Sequence, residues 1–236
     1  MYYGKVFESA EKTLEVLNAL EVYNALEAHE NIQNALMKSG LTIVAGLKGG
    51  IGKSALTICL HQHFLVNGGS SGVITNDPHS TRIEKIIGEE FFFRIPKSAK
   101  FPALKQSDDL IVDLGGFAER RAFGILKEAR NVLLPTLGDS ISLEVCKKSL
   151  QLVQPLTKGK IAVVGVRVTE EELTLLEELF RPYPVFRFKN SMAIPNLYAS
   201  GKSLSEQVAT RPILGRSYRE ILNDIKKIAN WLTTEE

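Results

Sequence analysis

One short segment constrains this chain more than any other: an apolar run that stops at a cluster of glycines. Leu41-Thr42-Ile43-Val44-Ala45 reads as a buried strand, Lys48-Gly49-Gly50-Ile51-Gly52-Lys53-Ser54 follows almost at once, and an apolar stretch to about Val66 reads as a helix. Three glycines in four positions, between a strand and a helix, let backbone N–H groups turn inward around anionic oxygens. Lys53 supplies a point charge suited to the β- and γ-phosphates of a nucleotide, and the Ser54 hydroxyl can bind Mg²⁺. The strict pattern G-x-x-x-x-G-K-[ST] fails at one position, because Leu47 stands where its first glycine belongs. A purely structural glycine turn leaves the pairing of Lys48 with Lys53 unexplained. The candidate nucleotide contacts are therefore Lys48, Gly49, Gly50, Ile51, Gly52, Lys53, Ser54 and Ala55.

The pattern after this loop repeats its logic. Gly72–Asn76, Asp109–Asp113, Val132–Pro135, Ile161–Val166 and Val185–Phe188 are short apolar runs, most of them followed by a helical stretch. Such alternation predicts an α/β fold with a mostly parallel sheet covered by helices on both faces, and ligands at the carboxyl ends of its strands. Residues 1–40 read differently. Leu14, Leu17, Leu20, Tyr23 and Leu26 recur at helical spacing, Ile32 and Leu36 continue it, and Ser39-Gly40 reads as a stop. The expected division is a helical extension over 1–40 and one domain over 41–236. The extension is too short for a helix-turn-helix unit with its own core, which argues against operator-specific DNA binding.

Composition excludes several classes. No run approaches the roughly 18 apolar residues of a membrane-spanning helix, and the N-terminus lacks the layout of a signal peptide. The two cysteines, Cys59 and Cys146, have no CxxC spacing, so neither a zinc site nor a disulfide framework is expected, and a reducing cytoplasm is.

The loop K-G-G-x-G-K-[ST], with its second lysine at position 48, resembles that of the ParA/MinD group of deviant Walker A ATPases. The resemblance covers about residues 41–232. It implies a P-loop NTPase that binds ATP and Mg²⁺ and hydrolyses it slowly, as a nucleotide-sandwich homodimer in which Lys48 reaches the partner's phosphates. Asp77-Pro78 lies where the family has an Asp-Pro after its second strand, which implies that Asp77 orients the attacking water or the Mg²⁺ shell. Asn76 and His79 differ from the usual residues and imply altered hydrolysis. Leu110-Ile111-Val112-Asp113-Leu114-Gly115-Gly116 is similar to a Walker B strand with a switch loop, giving a catalytic set of Lys48, Asp77 and Asp113 and a metal set of Ser54, Asp77 and Asp113. Leu133–Thr136, Ser140–Glu144, Ala199–Leu204 and the helix Tyr218–Trp231 also resemble family segments. The chain departs at Val166-Arg167-Val168, where the family often places an adenine-binding Asn. The cluster cysteines of the related nitrogenase iron protein have no counterpart.

Charge bears on partners. The net is +2, but residues 1–40 carry a local net of −3 and residues 181–219 one of +6. The basic stretch suggests an anionic partner. With the resemblance, it points to a ParA-type ATPase for DNA partition or cargo positioning, binding DNA non-specifically through Arg187, Lys189, Lys202, Arg211, Arg216 and Arg219. That reading implies a ParB-like or other stimulating partner and association with the nucleoid. A related plasmid-transfer ATPase fits the same residues. A metabolic ligase or reductase of the superfamily would need a substrate motif that the sequence does not offer. A MinD-like membrane switch would use Ile221, Ile225, Ile228 and Leu232 with Lys226, Lys227 and Trp231, but Thr233-Thr234-Glu235-Glu236 gives that helix an acidic end. No stable membrane association is expected.

Overall fold

The computed structural model describes residues 40–77, 80–95, 109–115, 120–189, 193–210 and 215–234. The predicted helical extension over 1–40 lies outside them, except for Gly40. β1 (Gly40–Val44) leads through the glycine loop into α1 (Lys53–Val66), then β2 (Ser71–Thr75), α2 (Thr81–Ile87), β3 (Phe92–Arg94) and β4 (Asp109–Asp113). There follow α3 (Arg120–Lys127), β5 (Asn131–Thr136), α4 (Ser140–Val153), β6 (Lys160–Val166), α5 (Glu170–Leu179) and β7 (Val185–Phe188). Three helices end the described chain: α6 (Ala193–Ser200), α7 (Leu204–Thr210) and α8 (Gly215–Thr233).

The seven strands form one parallel sheet in the order β3-β2-β4-β1-β5-β6-β7. Period-two alternation sends successive side chains of each strand to opposite faces, and both faces are apolar, as a doubly covered parallel sheet requires. Leu41, Ile43, Val132, Leu134, Ile161 and Val163 join α3, α4 and α5 in one core layer. Val44, Ile111, Leu133, Ala162 and Val164 join α1, α2, α6, α7 and α8 in the other. The chain thus has the predicted three-layer architecture.

Register fixes the site. Val44 pairs with Asp113, and Asp113 pairs with Thr75 on its other side, so β1, β4 and β2 end in one row. The loops that follow those strands consequently emerge side by side, where the chain crosses from one half of the sheet to the other.

Two details differ from the sequence reading. The sequence reading assigns no strand to the short run Phe91-Phe92-Phe93; Phe92 to Arg94 form β3 by pairing with Val73 to Thr75 of β2. β2 begins one residue earlier than its apolar run and stops at Thr75, which leaves Asn76 in the loop.

α8 accounts for the apolar stripe that a membrane switch would use. Ile221, Ile225 and Ile228 are fully buried and Leu232 nearly so, packed on the sheet's second layer. Lys160 of β6 closes the helix end by donating to the carbonyls of Trp231 at 2.8 Å and Thr234 at 2.7 Å, with its ammonium 4.8 Å from the Trp231 ring. Among the described residues no helix is long and apolar enough to cross a membrane.

Candidate phosphate-binding site

The loop after β1 wraps the start of α1. Gly50 and Gly52 have φ of 74° and 86°, a left-handed backbone that glycine adopts without the Cβ penalty. Ile51 is buried, and it plugs the loop onto the core beside Gly46, where a Cβ would come 2.8 Å from the Ile51 side chain. Added Cβ atoms at Gly49 or Gly50 would meet nothing within 4 Å. The loop is anchored by one apolar side chain while its glycines border an open cavity of about 450 Å³.

Lys53, Ser54 and Ala55 line that cavity from the first turn of α1, Asp113 and Gly115 from the end of β4, and Asp77 from the end of β2. The Lys53 ammonium donates to the Lys48 carbonyl at 2.9 Å. The Ser54 hydroxyl donates to Asp113 Oδ2 at 2.6 Å. Burial lowers the Lys53 pKa, opposed by the negative charges of Asp113 and Asp77. Burial likewise raises the Asp113 pKa, opposed by the Ser54 hydrogen bond and by Lys53. A partly desolvated cation beside a helix N-terminus is a strong attractor for phosphate oxygens.

The sequence expectation that Ser54 and Asp113 lie together is met. They form an oxygen-only pair of the type Mg²⁺ prefers, leaving most of an octahedral shell to phosphates and waters. Among the described residues no three His, Cys, Asp or Glu side chains form a protein-only metal cage. This donor set fits a nucleotide-bound Mg²⁺.

Asp77 sits in a short tethered segment. Thr75 Oγ1 donates to the Asp113 carbonyl at 3.0 Å and accepts the Asp77 N–H at 3.1 Å, and the Ser80 hydroxyl donates to the Asp77 carbonyl at 2.8 Å. Asn76 Oδ1 accepts the Gly115 N–H at 2.6 Å, tying the loop after β2 to the loop after β4. In the sequence Asn76 is visible only as a departure from the family, and nothing in the spacing signals its partner.

Lys48 lies at the rim of the cavity, about one-third exposed. Its ammonium donates to Ser142 Oγ at 2.7 Å and lies 3.7 Å from Asp139, which caps the start of α4. The Ser142 hydroxyl and N–H hold the Asp139 carboxyl below its ordinary value, with Lys48 adding to the effect. The Leu47 N–H donates to Ser149 of the same helix at 3.3 Å. Lys53 points into the loop of its own chain; Lys48 is held on a neighbouring helix.

Comparison with solved structures returns this architecture repeatedly. An ATP complex of a McdA variant from Cyanothece superposes with a TM-score of 0.65 at 14% identity, over 84% of this chain and 98% of that one. A chain of the MinC:MinD cell division complex of Aquifex aeolicus gives 0.61 at 12%, over 81% and 96%. The fold is that of McdA and MinD. The septum site-determining protein MinD of Pyrococcus horikoshii, complexed with Mg-ADP, gives 0.58 at 12%, over 84% of this chain and all of that one. No family model matches the sequence, and no curated protein does. The likeness to McdA and MinD is thus one of fold.

The predicted DNA contacts divide. Lys202 and Arg219 are exposed. Arg211 and the Arg216 side chain lie outside the described residues. Arg187 and Lys189 are turned inward. Arg187 Nε donates to Asp224 at 3.2 Å, its Nη1 is hydrogen-bonded to Glu170, and its pKa is raised chiefly by the Asp224 hydrogen bond. Lys189 is ion-paired with Glu220, and its N–H donates to Asp224 at 3.1 Å. The basic window over 181–219 overstated the available charge because three acidic partners, Glu170, Glu220 and Asp224, flank it in sequence and close on it in space. Arg187 and Lys189, expected as phosphate contacts, are engaged in ion pairs within the chain.

Proposed function

We propose that this chain is an Mg²⁺-dependent ATPase that works as a nucleotide-induced homodimer of the ParA/MinD type, with non-specific duplex DNA as the partner of its ATP state. The amides of Gly49 to Ser54 and the Lys53 ammonium cradle the β- and γ-phosphates. Ser54 and Asp113 hold Mg²⁺, which when bound neutralises charge on the phosphate oxygens. Asp77, fixed beside Gly115, orients water at the γ-phosphate end. The disposition of the two lysines supports the reading: Lys53 is committed to its own loop, while Lys48 lies at the rim on Ser142 and Asp139, contacts it would exchange for the phosphates of a second subunit.

A cation supplied from a neighbour stabilises charge developing in phosphoryl transfer and makes turnover depend on dimerisation. The bound ADP and ATP of the MinD and McdA structures support the choice of nucleotide. DNA is supported by the exposed Lys202 and Arg219, with Arg211 and Arg216 nearby in sequence. The membrane alternative loses its support, because α8 spends its apolar face on the core. A stimulating partner of the ParB kind, and nucleoid association, follow from the DNA reading.

Size-exclusion chromatography with ATP·Mg²⁺, alone and with duplex DNA, tests it. The wild-type chain is expected to shift to a dimer that carries DNA. Lys48→Ala is expected to bind ATP yet lose turnover by about 10³-fold or more, the usual scale for a cation acting on the transition state from a second subunit. A wild type that stays monomeric at saturating nucleotide refutes the dimer, and an Ala variant with full turnover refutes the role of Lys48.

A further inference from the structure

β7 is the last strand of the sheet on its side, with β6 as its neighbour. Phe186 and Phe188 turn toward the layer that holds α8, and Val185 toward the layer that holds α5. A cavity of about 370 Å³ is lined by α5 and α8 together, with β7 from Val185 to Arg187 as its floor. The sheet separates those two layers, so a cavity touching both wraps the free edge of β7.

Parity tells which backbone groups face it. The Pro184 carbonyl accepts the Val163 N–H at 3.0 Å, and the Phe188 carbonyl accepts the Arg167 N–H at 3.0 Å. In a parallel ladder the N–H and C=O of one residue point to the same side, and successive residues point to opposite sides. Pro184, Phe186 and Phe188 therefore face β6, while Val185, Arg187 and Lys189 face outward. Lys189 is closed there, because its N–H donates to Asp224 at 3.1 Å. The N–H and C=O groups of Val185 and Arg187 have no partner among the described residues. They form a template for one more strand, about 4.8 Å further out.

The walls beside this edge are polarised. α5 carries five glutamates and no basic residue. Two of them, Glu170 and Glu177, line the cavity. Glu170 is hydrogen-bonded to Arg187, whose Nε also reaches Asp224 at 3.2 Å on the α8 wall. Glu177 is exposed and has no ion pair among the described residues. Opposite, Asp224 is engaged by Arg187 and Lys189, which leaves the exposed Lys227 to set the charge of that wall. An added strand sends alternate side chains to the two walls. Cations suit the α5 side, and neutral or acidic residues suit the Lys227 side.

Charge disfavours two other occupants. A second copy pairing antiparallel at β7 continues the sheet with each face on its own side, which sets α5 and its glutamates against themselves. Residues 1–40 carry a local net of −3 and meet the same repulsion. We propose that the β7 edge takes an extended segment of another protein, basic at alternate positions, by strand addition. The site shares no residue with the phosphate cavity, and the proposal does not depend on the nucleotide reading.

Fluorescence anisotropy of a labelled peptide of alternating Lys and Thr, titrated with the full chain at about 0.15 M salt, tests it. The wild type is expected to bind this peptide about 3-fold or more tightly than the same peptide with Glu in place of Lys. Val185→Pro removes an outward N–H, the one place in a strand where proline is tolerated. It is expected to weaken the Lys peptide by about 3- to 10-fold, the scale of one hydrogen bond. Glu177→Lys alters only an exposed side chain; it is expected to weaken the Lys peptide by about 3-fold or more and to leave a Gln-Thr peptide within about 2-fold. A wild type that binds none of these peptides, or binds the Lys and Glu peptides equally, overturns the proposal. So does unchanged affinity in Val185→Pro, and, should that variant not fold, unchanged affinity in Glu177→Lys. A wild type that dimerises without nucleotide, and becomes monomeric on Val185→Pro, makes a second copy the occupant and equally overturns it.

Discussion

Buried ionisable groups in this chain fall into two kinds, and their partners distinguish them. Lys53 and Asp113 are desolvated yet compensate each other, with Ser54 between Asp113 and the loop. His61 has no such help. It lies on α1 at 1% exposure, its ring 5.7 Å from that of Phe91, and neither ring nitrogen has a hydrogen-bond partner among the described residues. Burial lowers its pKa from 6.5 to about 4. The sign of the resulting pH dependence follows from where the proton binds. Between those two values the unfolded chain takes up a proton that the folded chain refuses, so stability is intact above 6.5 and falls as pH drops toward 4. At pH 5 the loss is about 2 kcal/mol. Denaturant titrations of the wild type and His61→Phe from pH 7.5 to 5 are expected to show the variant losing less, since groups common to both cancel in the difference. A difference that stays flat across that range would show that His61 is not the buried titrating group.

At the scale of elements, the candidate site lies where three strands end in one row, and the loops there are joined by hydrogen bonds as well as by proximity. The Asn76–Gly115 bond spans 39 residues of sequence and joins the loop carrying Asp77 to the loop beyond Asp113. A Cβ on Gly115 would lie 3.3 Å from both Asn76 Oδ1 and the Asp77 Cβ, so a side chain there would push the two loops apart by a few tenths of an ångström. Asn76→Leu removes the acceptor at similar size, and Gly115→Ala crowds the same contact. Each is expected to slow single-turnover phosphate release by about 3- to 10-fold, the net worth of one hydrogen bond, with nucleotide affinity held within about 2-fold. The double variant should be no slower than the slower single one, because both act on one contact. Multiplying effects would mean that the residues act independently. This pair also marks what sequence could and could not reveal. The β1–loop–α1 unit was legible because its signal is local: an apolar run, glycines, then Lys53 and Ser54. The strands from β4 to β7 were legible for the same reason. β3 was not read, because Phe91-Phe92-Phe93 is too short a run to stand as a strand until a neighbour supplies the pairing. Asn76, Asp139 and Ser142 were illegible as site residues because each acquires its role from a partner far along the chain, Gly115 for the first and Lys48 for the other two.

For the whole molecule, the proposed DNA reading must account for how a chain of net charge +2 would hold an anionic duplex. Of the six cations proposed for DNA, those exposed among the described residues are Lys202 and Arg219, while Arg187 and Lys189 are neutralised by Glu170, Asp224 and Glu220. Two cations release few counterions and give weak retention at physiological salt. A dimer doubles the number on one body, and the dependence on number is steep. Each phosphate neutralised contributes about −0.9 to the slope of log affinity against log salt, so four cations across a dimer account for about −3.6. On the proposed reading, nucleotide would control DNA binding through stoichiometry, with no change needed in the basic residues themselves. Retention of duplex DNA measured between about 50 and 200 mM salt is expected only with ATP·Mg²⁺. The combined Lys202→Ala and Arg219→Ala variant should dimerise normally while its salt slope becomes shallower by about 3 to 4 units. The same pair in a Lys53→Ala background should show no further loss, because that chain forms no nucleotide-dependent dimer from which contacts could be removed. An unchanged salt slope in the double variant would place DNA elsewhere on the molecule, and equal retention with and without nucleotide would disconnect DNA from the ATPase cycle.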